Sequence, residues 1–150
     1  MNHAVVVDAS VALKRVLAEE FTEQSRALFA QSLQDRRPLV APPLLPSEVA
    51  NALYQRLHTT VPSRRLTEAE ADGALAAFLH LPITLLAPDD LYFRAFEFAK
   101  THRLPSVYDS VYVVLAQMLN TELWTADQRL LNSVPTSAPW VRSIRDYPEP

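Results

Sequence analysis

The 150-residue chain has no cysteine, a single glycine and only two lysines, and each scarcity removes a class of chemistry. Without cysteine there is no disulfide framework, no thiolate zinc site and no thiol nucleophile, which fits a reducing compartment. One glycine, Gly73, cannot write GxGxxG or GxxxxGK[ST], so the usual nucleotide-phosphate loops are excluded. No apolar run approaches the roughly 20 residues of a membrane helix, and the N-terminus lacks the basic-then-apolar pattern of a secretory leader. The expectation is a soluble, cytoplasmic protein with no membrane partner. His3, His58, His80 and His102 are scattered, with no i, i+4 pair and no HExxH, so neither a histidine metal site nor a paired acid–base histidine mechanism is supported. Ser10 and Ser110 lack the glycine-flanked turn that exposes a hydrolase serine.

What is present is 49% hydrophobic residues, enough for one core, and a net charge of −3 carried with 12 arginines among 14 cations. The net charge argues against a wholly basic nucleic-acid binder, while the arginine bias permits phosphate recognition. A single domain over residues 1–150 is expected, with "DYPEP" from about 146 as a frayed tail.

Periodicity orders the elements. "AVVV" is a β-branched run stopping at Asp8, and the spacing of Leu13, Val16 and Leu17 after it is helical. A helix is expected from Thr22 to about Arg36, a buried strand at "LVA" (39–41), and, after Pro42, Pro43 and Pro46, a helix to about Leu57. Thr67 with Glu70 makes a capping box before a helix with Ala71, Leu75 and Phe78 on one face. "ITLL" reads as a strand, and "PDDLYFRAFEFAKTHR" as a helix with acids in its first turn and cations in its last. The apolar helix "SVYDSVYVVLAQML" follows, then a strand at "ELWT", a helix from about Asp127, and a last strand near 140–143. Strands alternating with helices predict an α/β fold with a central, mainly parallel sheet of four to five short strands between two helical layers.

In such a sheet the strand C-termini share one edge, where ligands bind. Asp8 ends the first strand and Asp127 lies just past a later one, while Glu48 and Asp109 open helices that begin at the same edge. Four carboxylates therefore converge. Capping offers a chemistry-free alternative, because acids favour helix N-termini and Ser106 with Asp109 has the S-x-x-D spacing of a capping box. Against it, Ser10 stands ready to cap the first helix in place of Asp8, and crowded carboxylates repel unless a cation relieves them. Tyr108 and Tyr112 flank Asp109 and are expected to pack rather than to touch a ligand. The face from Leu91 to Ala99 is expected in the core, with a dimer surface as the alternative.

At these residues the chain resembles the PIN-domain family, and more narrowly the VapC toxin nucleases of bacterial toxin–antitoxin pairs. The segments that carry the resemblance are "VVVDASVALK", "PSEVANAL", "YDSVYVVLA" and "LWTADQRLL", in the family's order over nearly the whole chain. The resemblance implies a PIN fold and a Mg²⁺- or Mn²⁺-dependent endoribonuclease in which Asp8, Glu48, Asp109 and Asp127 are catalytic and hold the metal. Ser10, Asn51 and Thr125 occupy its supporting polar positions. It also implies an RNA substrate, a cognate antitoxin seated in the crevice, and a homodimer. A departure is the absence of a Gly-rich or obviously basic loop near the four acids, which leaves the RNA surface unassigned.

Mg²⁺ takes oxygen ligands and keeps several waters, so one or two direct carboxylates, Asp8 and Asp109, suffice, with Glu48 and Asp127 orienting water. The resemblance implies hydrolysis by water that leaves a 5′-phosphate and a 3′-hydroxyl. A phosphoaspartate site is disfavoured because Asp8 has no acidic neighbour and position 10 is Ser10. The non-catalytic alternative is a PIN-like module whose acidic crevice receives a partner's arginine.

Overall fold

The computed structural model describes residues 3–149. Residues 1, 2 and 150 lie outside it, Pro150 being the end of the tail expected to fray. Strand β1 (Val5–Val7) leads into helices α1 (Ala9–Val16) and α2 (Thr22–Gln34), then β2 (Leu39–Ala41), α3 (Leu45–His58) and α4 (Glu68–Leu79). β3 (Ile83–Leu85), α5 (Leu91–His102), α6 (Val107–Met118), β4 (Leu123–Thr125), α7 (Gln128–Ser133) and β5 (Val141–Ser143) complete the order. The five strands form one sheet, β3-β2-β1-β4-β5, and every pairing is parallel. This is the α/β fold expected, with the upper number of strands.

Alternation along the strands splits the core in two. Val6 and Ala4 face a large cluster with Leu45, Val49, Phe78, Ala95 and Leu115, contributed by the helices α3 to α6. Val5, Val7, Leu39 and Trp124 face a smaller one with Leu28, Phe29 and Ile144. A strand covered on both sides needs apolar residues at consecutive positions, which is why β1, β2 and β4 are unbroken runs of buried residues. The outermost strands, β3 and β5, are partly exposed.

The strand order reverses between β1 and β4: the chain moves one way to β2 and β3, and the other way to β4 and β5. A crevice opens at such a point, beyond the strand C-termini. Asp8 follows β1 and Asp127 follows β4, so both flank it. Helix α6 precedes β4 and so begins at this same edge.

Three expectations need correction. Asp89 and Asp90 do not enter the first turn of α5; Asp90 is its N-cap residue in the left-handed region (φ 68°) and makes no side-chain cap bond. Asp8, not Ser10, caps α1, by accepting a hydrogen bond from Val11 N. The tail past 146 is tied down as far as Glu149: the Tyr147 ring meets Trp124 edge-on at 4.9 Å, and Glu149 accepts a bond from Gln24 Nε2 at 2.9 Å. The Thr67–Glu70 capping box forms in both directions.

Candidate active site

Asp8 leaves the end of β1 and is buried. Its Oδ1 accepts from Ser10 Oγ at 2.5 Å and from Val11 N at 3.1 Å, and its Oδ2 accepts from Thr125 Oγ1. Ser10 Oγ also accepts from Ala126 N at 2.8 Å, and Thr125 Oγ1 accepts from Asp127 N at 3.0 Å. A carboxylate and two hydroxyls thus tie the end of β1 to the end of β4. Burial pushes the Asp8 carboxyl up to about 6, even though the bonds from Ser10, Thr125 and Val11 favour its ionised form.

Asp127 caps α7 through Oδ1, which accepts from Arg129 N and Leu130 N. Glu48 stands in the first turn of α3 and accepts a 2.5 Å bond from Tyr112 Oη. Tyr112 is buried, and its phenol is raised by burial and by the charge of Glu48, so it remains a donor. Burial also raises Glu48, and the charges of Asp8, Asp109 and Asp127 add to the effect.

Asp109 stands in the first turn of α6. Ser106 precedes the helix but makes no side-chain cap bond, so the capping box suggested by the spacing does not form. The Asp109 Oδ2 atom is buried and has no hydrogen-bond partner among the described residues. An unmatched buried acceptor costs about 1–3 kcal/mol, and more if charged. Burial raises the Asp109 carboxyl, and the nearby Arg129 partly offsets this.

The four acids stand at element ends that open on one sheet edge, and Glu48 is near enough to feel the charges of Asp8, Asp109 and Asp127. Among the described residues no three of them stand close enough together to cage an ion unaided. Mg²⁺ and Mn²⁺ do not require a cage, because water completes most of the shell. The donor set is all oxygen, and it includes one carboxylate oxygen with no hydrogen-bond partner among the described residues, which fits a hard dication.

The supporting positions divide. Ser10 and Thr125 hold Asp8, whereas Asn51 is exposed one turn beyond Glu48 and makes no side-chain hydrogen bond among the described residues. The tyrosines also divide: Tyr112 is buried against Glu48, while Tyr108 is 65% exposed, against the expectation of packing. Sequence reasoning missed Arg129, whose Nη2 lies 3.9 Å from Asp109 Oδ2 and 3.7 Å from Asp127 Oδ2. Its signal was its place two residues past Asp127, in the first turn of a helix that opens at the site.

Comparisons with known proteins agree with this geometry. The model of the PIN domain matches residues 5–135. The chain is similar to a VapC ribonuclease of Mycobacterium bovis and to ribonuclease VapC9 of Mycobacterium tuberculosis, each 35% identical over 135 residues, which is 90% of this chain and 94% of the relative. In fold it is similar to the crystal structure of PAE2754 from Pyrobaculum aerophilum, with TM-score 0.66 and 21% identity over 97% of this chain and 93% of the other. It is likewise similar to Mycobacterium tuberculosis VapC20, a sarcin–ricin-loop-cleaving toxin, with TM-score 0.60 and 16% identity over 87% and 95%. The chain belongs to the PIN domain family.

Proposed function

We propose that this protein is an endoribonuclease that hydrolyses RNA phosphodiester bonds with Mg²⁺ or Mn²⁺, and that it is the toxin of a toxin–antitoxin pair acting in the cytoplasm. The observation that carries the reading is the buried Asp109 Oδ2, which has no hydrogen-bond partner among the described residues, at the edge where the strand order reverses. The curated relatives named as VapC ribonucleases support the choice of RNA and, by their kind, of an antitoxin partner.

The residues divide the work. Asp109 and Asp8 supply oxygens for the cation, Asp8 being held in one orientation by Ser10 and Thr125. Tyr112 leaves the second oxygen of Glu48 without its bond, available to receive a proton from an attacking water or to orient it. Asp127 spends Oδ1 on the helix cap and keeps Oδ2 toward the crevice. A bound dication would supply charge neutralisation at the phosphate and a more acidic water.

The exposed aromatics of α5, Tyr92, Phe93 and Phe96, make an apolar face that suits a homodimer. The expectation that this face lies in the core is met only by Leu91, Ala95 and Ala99.

The test is purified protein with RNA and Mn²⁺, with and without EDTA, beside Asp109→Asn. Cleavage that needs the ion, leaves 5′-phosphates and vanishes in the variant is expected. Equal cleavage by Asp109→Asn would falsify the assignment.

A further inference from the structure

Arg129 is anchored at one end and loose at the other. Its backbone N–H is held by Asp127 Oδ1 at 2.9 Å, while its side chain is 72% exposed. The guanidinium stands 3.9 Å from Asp109 Oδ2 and 3.7 Å from Asp127 Oδ2, within ion-pair range but beyond hydrogen-bond distance of either. Among the described residues it is the one cation within 4 Å of any of the four acids.

We infer that Arg129 is a displaceable counter-ion: in the metal-free protein its charge stands beside Asp109, where a divalent cation would bind, and once displaced it turns its guanidinium to an RNA phosphate. The inference rests on the nuclease reading for its second half only. A monocation approaching without hydrogen bonds, on an exposed side chain, is weakly held. A dication carries twice the charge and reaches the Asp109 oxygens more closely, so it wins the contest by simple Coulomb attraction. Two cations cannot share those oxygens without repelling. The guanidinium then leaves, but its root at the start of α7 keeps it beside the crevice. Its planar fork matches two phosphate oxygens, which the acids around it cannot bind. The cost of assembling four carboxylates before any ion arrives is thereby lowered by a group that later serves the substrate.

The experiment compares the full chain with Arg129→Gln and Arg129→Lys. At neutral pH, isothermal titration with Mn²⁺ should show roughly fivefold tighter binding to Arg129→Gln, because the competitor is gone, and near-native binding to Arg129→Lys. Unchanged or weaker Mn²⁺ binding by Arg129→Gln overturns the counter-ion role. In RNA cleavage, the plot of log kcat/KM against log salt should become shallower in Arg129→Gln by about 0.7, the share of one single-strand phosphate contact. An unchanged slope overturns the phosphate role. Should the wild-type protein cleave no RNA while Mn²⁺ tightens in the variant, the nuclease reading falls and the counter-ion stands.

Discussion

At the scale of single residues, burial raises Asp8, Glu48 and Asp109, and this has a sign. Asp8 is pushed from 3.8 to about 6, so between those values the folded protein binds a proton that the unfolded chain does not. Stability of the metal-free protein should therefore fall as pH rises through about 6 and recover on acidification, by up to about 3 kcal/mol from this group. Urea midpoints measured in EDTA at several pH values check this; a midpoint that drops steadily from pH 7 to pH 5 would count against it. Asp109→Asn removes one of the repelling charges. It should leave the metal-free fold intact and raise its stability by about 1 kcal/mol, read as a higher melting temperature, while RNA cleavage is lost. The positions of all four acids were legible, because strand ends and helix starts share an edge. Whether Ser106 and Asp109 form a capping box was not. S-x-x-D reads the same whether the serine caps or turns away, and only the Ser106 side chain decides. Asp8 blurs the distinction from the other direction, since it caps α1 and belongs to the site together. Arg129 escaped because a lone arginine in a short helix resembles any solvated cation until its neighbours are placed.

At the scale of elements, the strands were easily read, as β-branched or apolar runs cut off by prolines and polar residues. Helix ends were harder, and the shortage of glycine explains it. Helices α2, α5 and α6 close with Arg36, Arg103 and Asn120 at positive φ (54°, 51° and 51°), followed by backbone bonds from Arg37, Leu104 and Thr121 to carbonyls five residues back. Glycine ordinarily marks such closures. Here side chains that prefer φ below zero occupy them at a steric cost, and the usual stop signal is missing from the sequence. Arg103→Gly should stabilise the protein by about 0.5–1 kcal/mol, read as a rise of a few degrees in the melting temperature. The one glycine sits where it is least useful. Gly73 lies exposed inside α4, a Cβ there would meet nothing within 4 Å, and its φ is not in the left-handed region. Gly73→Ala should add about 0.5–1 kcal/mol of stability, again by thermal melting, without touching cleavage.

At the scale of the whole molecule, the parallel sheet was legible from the alternation of strand and helix, but the order of its strands was not, because no local pattern states which strand β1 will have on its other side. That neighbour is β4, and the contact between Thr125 and Asp8 depends on it. The exposed Tyr92, Phe93 and Phe96 also became visible only once Leu91, Ala95 and Ala99 had taken the inward face of α5. If that aromatic face joins two copies, Phe93→Arg should sediment as a monomer with an unchanged circular dichroism spectrum, where the wild-type chain sediments as a dimer. The pairing of β1 with β4 has a further meaning for the cell that makes the protein. The first carboxylate emerges from the ribosome among the earliest residues and the last only at position 127, so if cleavage needs both, a nascent chain is inactive until synthesis is nearly complete. A truncated product ending before β4 would lack both Thr125 and the final acid, and a cell could accumulate such fragments without poisoning itself.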